Sequence, residues 1–165
     1  VRELKGEQKI QEKYDTVMDL DIDAYIPDKY IRNEYQKLDI YKRIAMIESR
    51  EEQDDMLEEL LDRFGEPPKA VQNLLSIARL KAEAHQAFIT EVTQKGDFIK
   101  LVMYEKTQAD PKKIEQMVQK YQGKMKFVID ARPYFLYTKP RKSAKDNKDV
   151  LELTREMIED IAGIS

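Results

Sequence analysis

The chain has 165 residues, enough for one domain with a substantial core, or one domain and a tail. Its 29 basic residues are nearly matched by 32 acidic ones, for a formal net charge of −3, which argues against a dedicated nucleic-acid-binding module. With no cysteine there is no disulfide framework, thiolate zinc site or cysteine nucleophile, in keeping with a reducing cytoplasm, and no apolar run approaches the roughly 18–20 residues of a membrane span.

Residues 1–14 are polar and begin Val1-Arg2-Glu3-Leu4-Lys5, with neither an initiating Met nor an apolar signal segment. They read as a linker or arm from an upstream domain, and the chain as a piece of a longer protein. Met18, Leu20, Ile22 and Ala24 then alternate with Asp19, Asp21 and Asp23, which predicts a strand ended by Pro27. Three aspartates on one strand face would suit calcium or magnesium, but the glycine turn and distal glutamate of an EF-hand are missing. A solvated strand face is the simpler reading.

From Ile31 to Ile47 the period becomes helical, with Ile40, Ile44 and Ile47 in line and Leu38, Tyr41 and Ala45 widening the stripe. Ser49 with Glu52 has the spacing of a capping box, so a second helix starts there and runs to Phe64. In its last turns Leu57, Leu60, Leu61 and Phe64 fall on one face, taken as the core side. Glu59, Asp62 and Arg63 fall together on the other. Asp55, Glu59 and Asp62 also follow the i, i+4, i+7 rule, and like charges so spaced cost a few tenths of a kcal/mol per pair. A basic partner surface would relieve that cost, although a charged face alone is ordinarily just solvated. Gly65 is predicted to take the left-handed conformation that ends the helix, with Pro67 or Pro68 in the first turn of the next.

Residues 67–87 form the longest helical pattern. Val71, Leu74, Leu75, Ala78 and Ala82 make one apolar stripe, and Ile77, Leu80 and Ala84 a second. His85, the single histidine, reads as a capping or half-buried residue near the helix end. Period two returns in residues 88–92 and 98–104 around Lys95-Gly96-Asp97, a hairpin signal. Asp110-Pro111 opens a helix with Ile114, Met117, Val118 and Tyr121 inward and Gly123 as its stop. Met125, Phe127 and Ile129 alternate as a strand, and residues 134–137 alternate back. Residues 139–148 are a basic, breaker-rich loop, and Val150, Thr154, Met157, Ile158 and Ile161 mark a last helix. Strands come in adjacent pairs, so the expected fold is α+β: a single domain with an antiparallel sheet of about four to five strands and several helices packed on one side.

There is no phosphate-binding glycine loop, dinucleotide fingerprint or nucleophile elbow, and with one His and no Cys no nucleophile–base motif is visible. An enzyme therefore has no positive support here, and a binding or regulatory module is the default. The basic loop gives an alternative, an accessory nucleic-acid-binding module using Tyr137, Lys139, Arg141, Lys142 and Lys145.

Four blocks carry a resemblance: Ala24-Tyr25-Ile26-Pro27-Asp28-Lys29-Tyr30-Ile31, Tyr41-Lys42-Arg43-Ile44-Ala45, Glu59-Leu60-Leu61-Asp62-Arg63-Phe64-Gly65 and Leu74-Leu75-Ser76-Ile77-Ala78-Arg79-Leu80. In this order and spacing they resemble the C-terminal domain of the bacterial transcription-repair coupling factors, the Mfd family. The likeness covers about Asp15 to Ile161, with residues 15–163 as the regulatory domain, and after Phe88 it holds mainly in pattern. It implies a parent that is an ATP-dependent DNA translocase, which displaces stalled RNA polymerase and recruits nucleotide excision repair through UvrA in the cytoplasm. It implies that this domain packs on a UvrB-like module of the same parent and masks the UvrA-binding surface. The family contact would correspond to Glu59, Asp62 and Arg63, with Asp55 and Glu66 beside them. No cofactor is expected in this chain. ATP and magnesium would belong to helicase motifs elsewhere in the parent, and DNA would be held by its other domains.

Overall fold

The computed structural model describes residues 14–105, 107, 109–140 and 149–164. The expected arm lies outside these except for Tyr14. The element order is β1 (Val17–Asp19), α1 (Glu34–Ala45), α2 (Arg50–Phe64), α3 (Lys69–Gln86), β2 (Ile89–Lys95), β3 (Phe98–Met103), α4 (Pro111–Lys120), β4 (Met125–Val128), β5 (Tyr134–Thr138) and α5 (Val150–Ala162). That is the α+β order of strand, three helices, hairpin, helix, hairpin and helix. The chain forms two compact units, residues 22–82 and the remainder, with the division falling inside α3.

The helical unit is built on local signals that the sequence spells out. Asn33 caps α1, its side chain accepting from the amides of Tyr35 and Gln36. Ser49 caps α2 by accepting from the Glu52 amide at 3.1 Å. Glu52 reaches back at 3.2 Å to the amide of Glu48, one residue before the cap. Between the helices Ile26, Ile31, Ile40, Ile44, Ile47, Met56, Leu60, Val71 and Leu75 form one buried cluster, closed by Tyr30, Tyr41, Phe64, Leu74 and Ala78. Such burial is the main source of stability, about 25 cal/mol per Å² of apolar surface removed from water. Two phenols tie the segment before α1 into this cluster. Tyr41 accepts from the Ile26 amide at 2.7 Å, and the Tyr30 hydroxyl lies 2.8 Å from the Gly65 carbonyl and 3.2 Å from that of Leu60.

Several expectations about this unit need correction. Leu57 and Leu61 are not core residues: they are 38% and 54% exposed, while Met56 and Leu60 are buried. Helical spacing admits either flank of the stripe, and packing against α1 and α3 selects Met56, Leu60 and Phe64. Leu38 is likewise 54% exposed and Ala45 is exposed. Gly65 has the expected positive φ of +88°, but with ψ −172°, an extended conformation outside the left-handed helical region. Pro68 precedes α3, its carbonyl accepting from Val71 and Gln72, so the proline stands before the helix rather than within its first turn.

The remaining residues form a five-stranded sheet in the order β1-β2-β3-β5-β4. β2 and β3 make the predicted hairpin, pairing Lys95 with Phe98 around Gly96-Asp97. β3–β5 and β4–β5 are also antiparallel. β1 departs from the expectation: it pairs parallel to β2, Val17↔Glu91 through Asp19↔Thr93, so the sheet is mixed. β1 is also shorter than expected, and Asp21 and Asp23 lie beyond it. β4 ends at Val128, leaving Ile129 87% exposed. Asp110 caps α4 as read, accepting from the Lys112 amide. α4 and α5 are joined where Tyr121 donates to Asp160 at 2.6 Å and Lys120 pairs with Asp160 and Glu156. Burial, with the Asp160 carboxylate second, pushes the Tyr121 phenol well above its usual range. His85 is half-buried, its Nδ1 3.0 Å from the Thr16 hydroxyl.

Candidate interaction site on the second helix

Glu59 stands at the centre of the predicted charged face. Both its oxygens are held by Arg43 of α1 in a two-pronged pair at 2.5 Å, and Arg63, one turn on, donates to Oε2 at 2.9 Å. Each side chain stays partly in solvent: 40% exposed for Arg43, 31% for Glu59 and 38% for Arg63. The hydrogen bonds from Arg43, chiefly, and those from Arg63 hold the Glu59 carboxyl down at about 2 against the upward pull of burial. The same carboxylate raises the Arg43 guanidinium further. A planar guanidinium fork on a carboxylate is the geometry in which a surface pair has a fixed orientation. The Arg63 guanidinium also lies 4.9 Å from the centre of the Phe64 ring.

The predicted patch is therefore present, with a different internal logic. Glu59 and Arg63 share one assembly, and its third member, Arg43, is not among the contact residues that the sequence points to. The signal for it was the Tyr41-Lys42-Arg43-Ile44 block, but nothing in sequence spacing links positions so far apart on two helices. Glu59 is not a free acid awaiting a basic partner, because two arginines already neutralise it. Asp62 and Asp55 are exposed and form no ion pair with a described residue, so they are the carboxylates left for solvent or a partner. Arg43, Met46, Ile47, Asp55 and Glu59 share a shallow depression of about 280 Å³. Glu66 lies elsewhere, on the rim of a groove on the other flank of α2.

The competing sites fare differently. Among the described residues no three His, Asp or Glu side chains gather to hold a metal ion, and Asp19, Asp21 and Asp23 are each exposed. Of the basic-loop residues, Arg141, Lys142 and Lys145 lie outside the described residues. Lys139 is half-buried, with its amide on the Asp97 carbonyl at 2.7 Å. Tyr137 is buried at 5% exposure, its ring edge-on to Tyr121 at 5.8 Å, so it offers no free face for stacking a base. No helix among the described residues is long and apolar enough to cross a membrane.

Known proteins are similar to this chain in sequence and fold. A family model described as the TRCF domain matches residues 20–114, which include all of α1, α2 and α3. A transcription-repair-coupling factor of Bacillus subtilis is 36% identical over 110 residues, 67% of this chain and 9% of that protein. One from Staphylococcus haemolyticus is 39% identical over 84 residues, 51% of this chain and 7% of that protein. The chain thus spans under a tenth of the length of these relatives. A crystal structure of the C-terminal domain of transcription-repair coupling factor superposes with a TM-score of 0.66 at 26% identity, covering 90% of this chain and 95% of that one.

Proposed function

The chain belongs to the TRCF domain family, and from that membership we propose that it is a non-catalytic, autoinhibitory regulatory domain of a transcription-repair coupling factor. In this reading it packs inside its cytoplasmic parent on a UvrB-like module and masks the surface that binds UvrA until the parent engages stalled RNA polymerase. ATP, magnesium and DNA are handled by other parts of the parent. The contact is the face of Arg43, Glu59, Asp62 and Arg63, with Asp55 at its edge. One observation carries this reading: the α1–α2 pair Arg43–Glu59, extended by Arg63, is rigidly assembled yet partly exposed, within the stretch that the family model matches.

Such a face suits a releasable contact. Exposed ion pairs are each worth about 0–1 kcal/mol, and tethering within one chain makes a weak interface effective. A coupling of about 1–3 kcal/mol between the clamp and polymerase engagement would suffice to gate access. The test is UvrA binding by the parent carrying Asp62→Lys with Arg63→Glu. The expected result is a rise of about tenfold or more in UvrA affinity, with the helical unit still folded by circular dichroism. Unchanged UvrA affinity in a folded variant would remove this face from the contact.

A further inference from the structure

On the opposite flank of α2 lies a groove of about 390 Å³, lined by Leu57, Leu61, Pro67 and Leu75 with Asp54 and Glu66 on its rim. At about 100° per residue Leu57 and Leu61 stand about 160° from Glu59, so the groove is separate from the arginine-bridged face. Leu57 and Leu61 are an i, i+4 pair of large aliphatic side chains, 38% and 54% exposed in a unit that buries its other leucine on α2, Leu60, completely.

The groove has fixed polar walls. Gln72 donates to the Pro67 carbonyl at 3.0 Å, and Arg79 donates to Gln53 at 3.4 Å. Among the described residues that line it, the charged ones are Asp54 and Glu66, and Arg79 is bound to the lining Gln53. The solvent face of α2 that borders it continues the acidic character through Glu58 and Asp62, both exposed.

We propose that this groove docks a basic amphipathic helix of a partner protein, with two aliphatic side chains seated between Leu57, Leu61 and Pro67 and flanking lysines or arginines on Asp54 and Glu66. Helix-in-groove recognition uses anchors at i and i+4 against an apolar floor, and the acidic rim selects the sign of the flanks. A second copy of this chain docked groove to groove is disfavoured as occupant, because its own acidic rim would then face Asp54 and Glu66. The residues that line this groove are distinct from Arg43, Glu59, Asp62 and Arg63 of the proposed autoinhibitory contact, although Asp62 lies on the face between them.

The probe is a fluorescein-labelled leucine–lysine peptide with two leucines four residues apart, titrated against the full 165-residue chain. Controls are a scrambled peptide of the same composition and a leucine–glutamate peptide of the same pattern. Saturable binding of the patterned basic peptide is expected, at least about tenfold tighter than either control. Leu57→Ser with Leu61→Ser, both already exposed, should leave the melting temperature nearly unchanged and lose that tenfold. Glu66→Lys should weaken binding less, and Arg43→Gln on the far flank should not change it. Equal binding of the scrambled peptide, or full binding by the double serine variant, would overturn the proposal. So would a concentration-dependent dimer that the serine variant abolishes, which would assign the groove to a second copy.

Discussion

The two flanks of α2 share one backbone and one cap yet meet solvent in opposite ways. On one flank Arg43 crosses from α1 to take both oxygens of Glu59, and Arg63 completes the assembly, so the charge there is internally satisfied. On the other, Leu57 and Leu61 stand partly uncovered above Pro67 and Leu75, with Asp54 and Glu66 as the charged groups among the described lining residues. Between them runs the line of buried Met56 and Leu60 and half-buried Phe64 that holds the helix down. A satisfied polar face contributes orientation and costs little to uncover, whereas an uncovered apolar face gains free energy only when something covers it. On that basis the charged flank fits a latch that opens, and the apolar flank fits a dock that fills.

Substitutions can break this contrast at several depths. Leu60→Ala removes the anchor common to both flanks, which is 0% exposed, and should lower the stability of the helical unit by about 2–5 kcal/mol, read by urea unfolding. Both flanks should then fail together. Gly65→Val comes next. The space that a first side-chain carbon would take has no atom within 4 Å, but φ +88° with extended ψ is a conformation that L residues resist. Backbone strain alone should cost about 1–3 kcal/mol, and Gly65→Ala should cost a comparable amount if strain rather than bulk is the cause.

Arg43→Gln should cost less, about 0–1 kcal/mol at neutral pH, because the pair is partly exposed. Its signature is the pH dependence. The Glu59 carboxyl is lowered from 4.5 to about 2, so its stabilising contribution is present above pH 4.5 and is lost as pH falls toward 2. The stability difference between the native chain and Glu59→Gln should shrink across that window. A difference that stays constant from pH 7 to pH 2 would mean the carboxylate is not held as described. The smallest effect is expected from Leu61→Ser, within about 0.5 kcal/mol by thermal melting, since the side chain is already in solvent.

Much of this was legible locally. Asn33, Ser49 and Asp110 each cap a helix, the last two at positions their spacing announces, and Gly96-Asp97 turns the hairpin between β2 and β3. These features depend on a few consecutive residues, so sequence specifies them directly. The failures share a different origin. Whether Leu57 or Met56 faces the core depends on which neighbour α2 packs against. The Arg43–Glu59 pair joins two helices, and the parallel pairing of β1 with β2 joins strands far apart in the chain. The candidate face was visible as Glu59, Asp62 and Arg63, but its arginine bridge and the separate place of Glu66 required the packed helices. The resemblance to coupling factors identifies the family, because the four blocks that carry it all lie in the helical unit, within the stretch that the family model matches.

The parallel ladder at β1 also bears on how this chain tolerates change. Val17–Asp19 and Ile89–Lys95 are hydrogen-bonded neighbours, so everything between them in sequence is a loop closed by three residue pairs. The entropy of closing such a loop grows only with the logarithm of its length, about 0.6 kcal/mol per doubling. Length changes confined to the connections between those helices should therefore cost the sheet little, whereas a one-residue slip of β1 against β2 would turn each of its side chains to the opposite face.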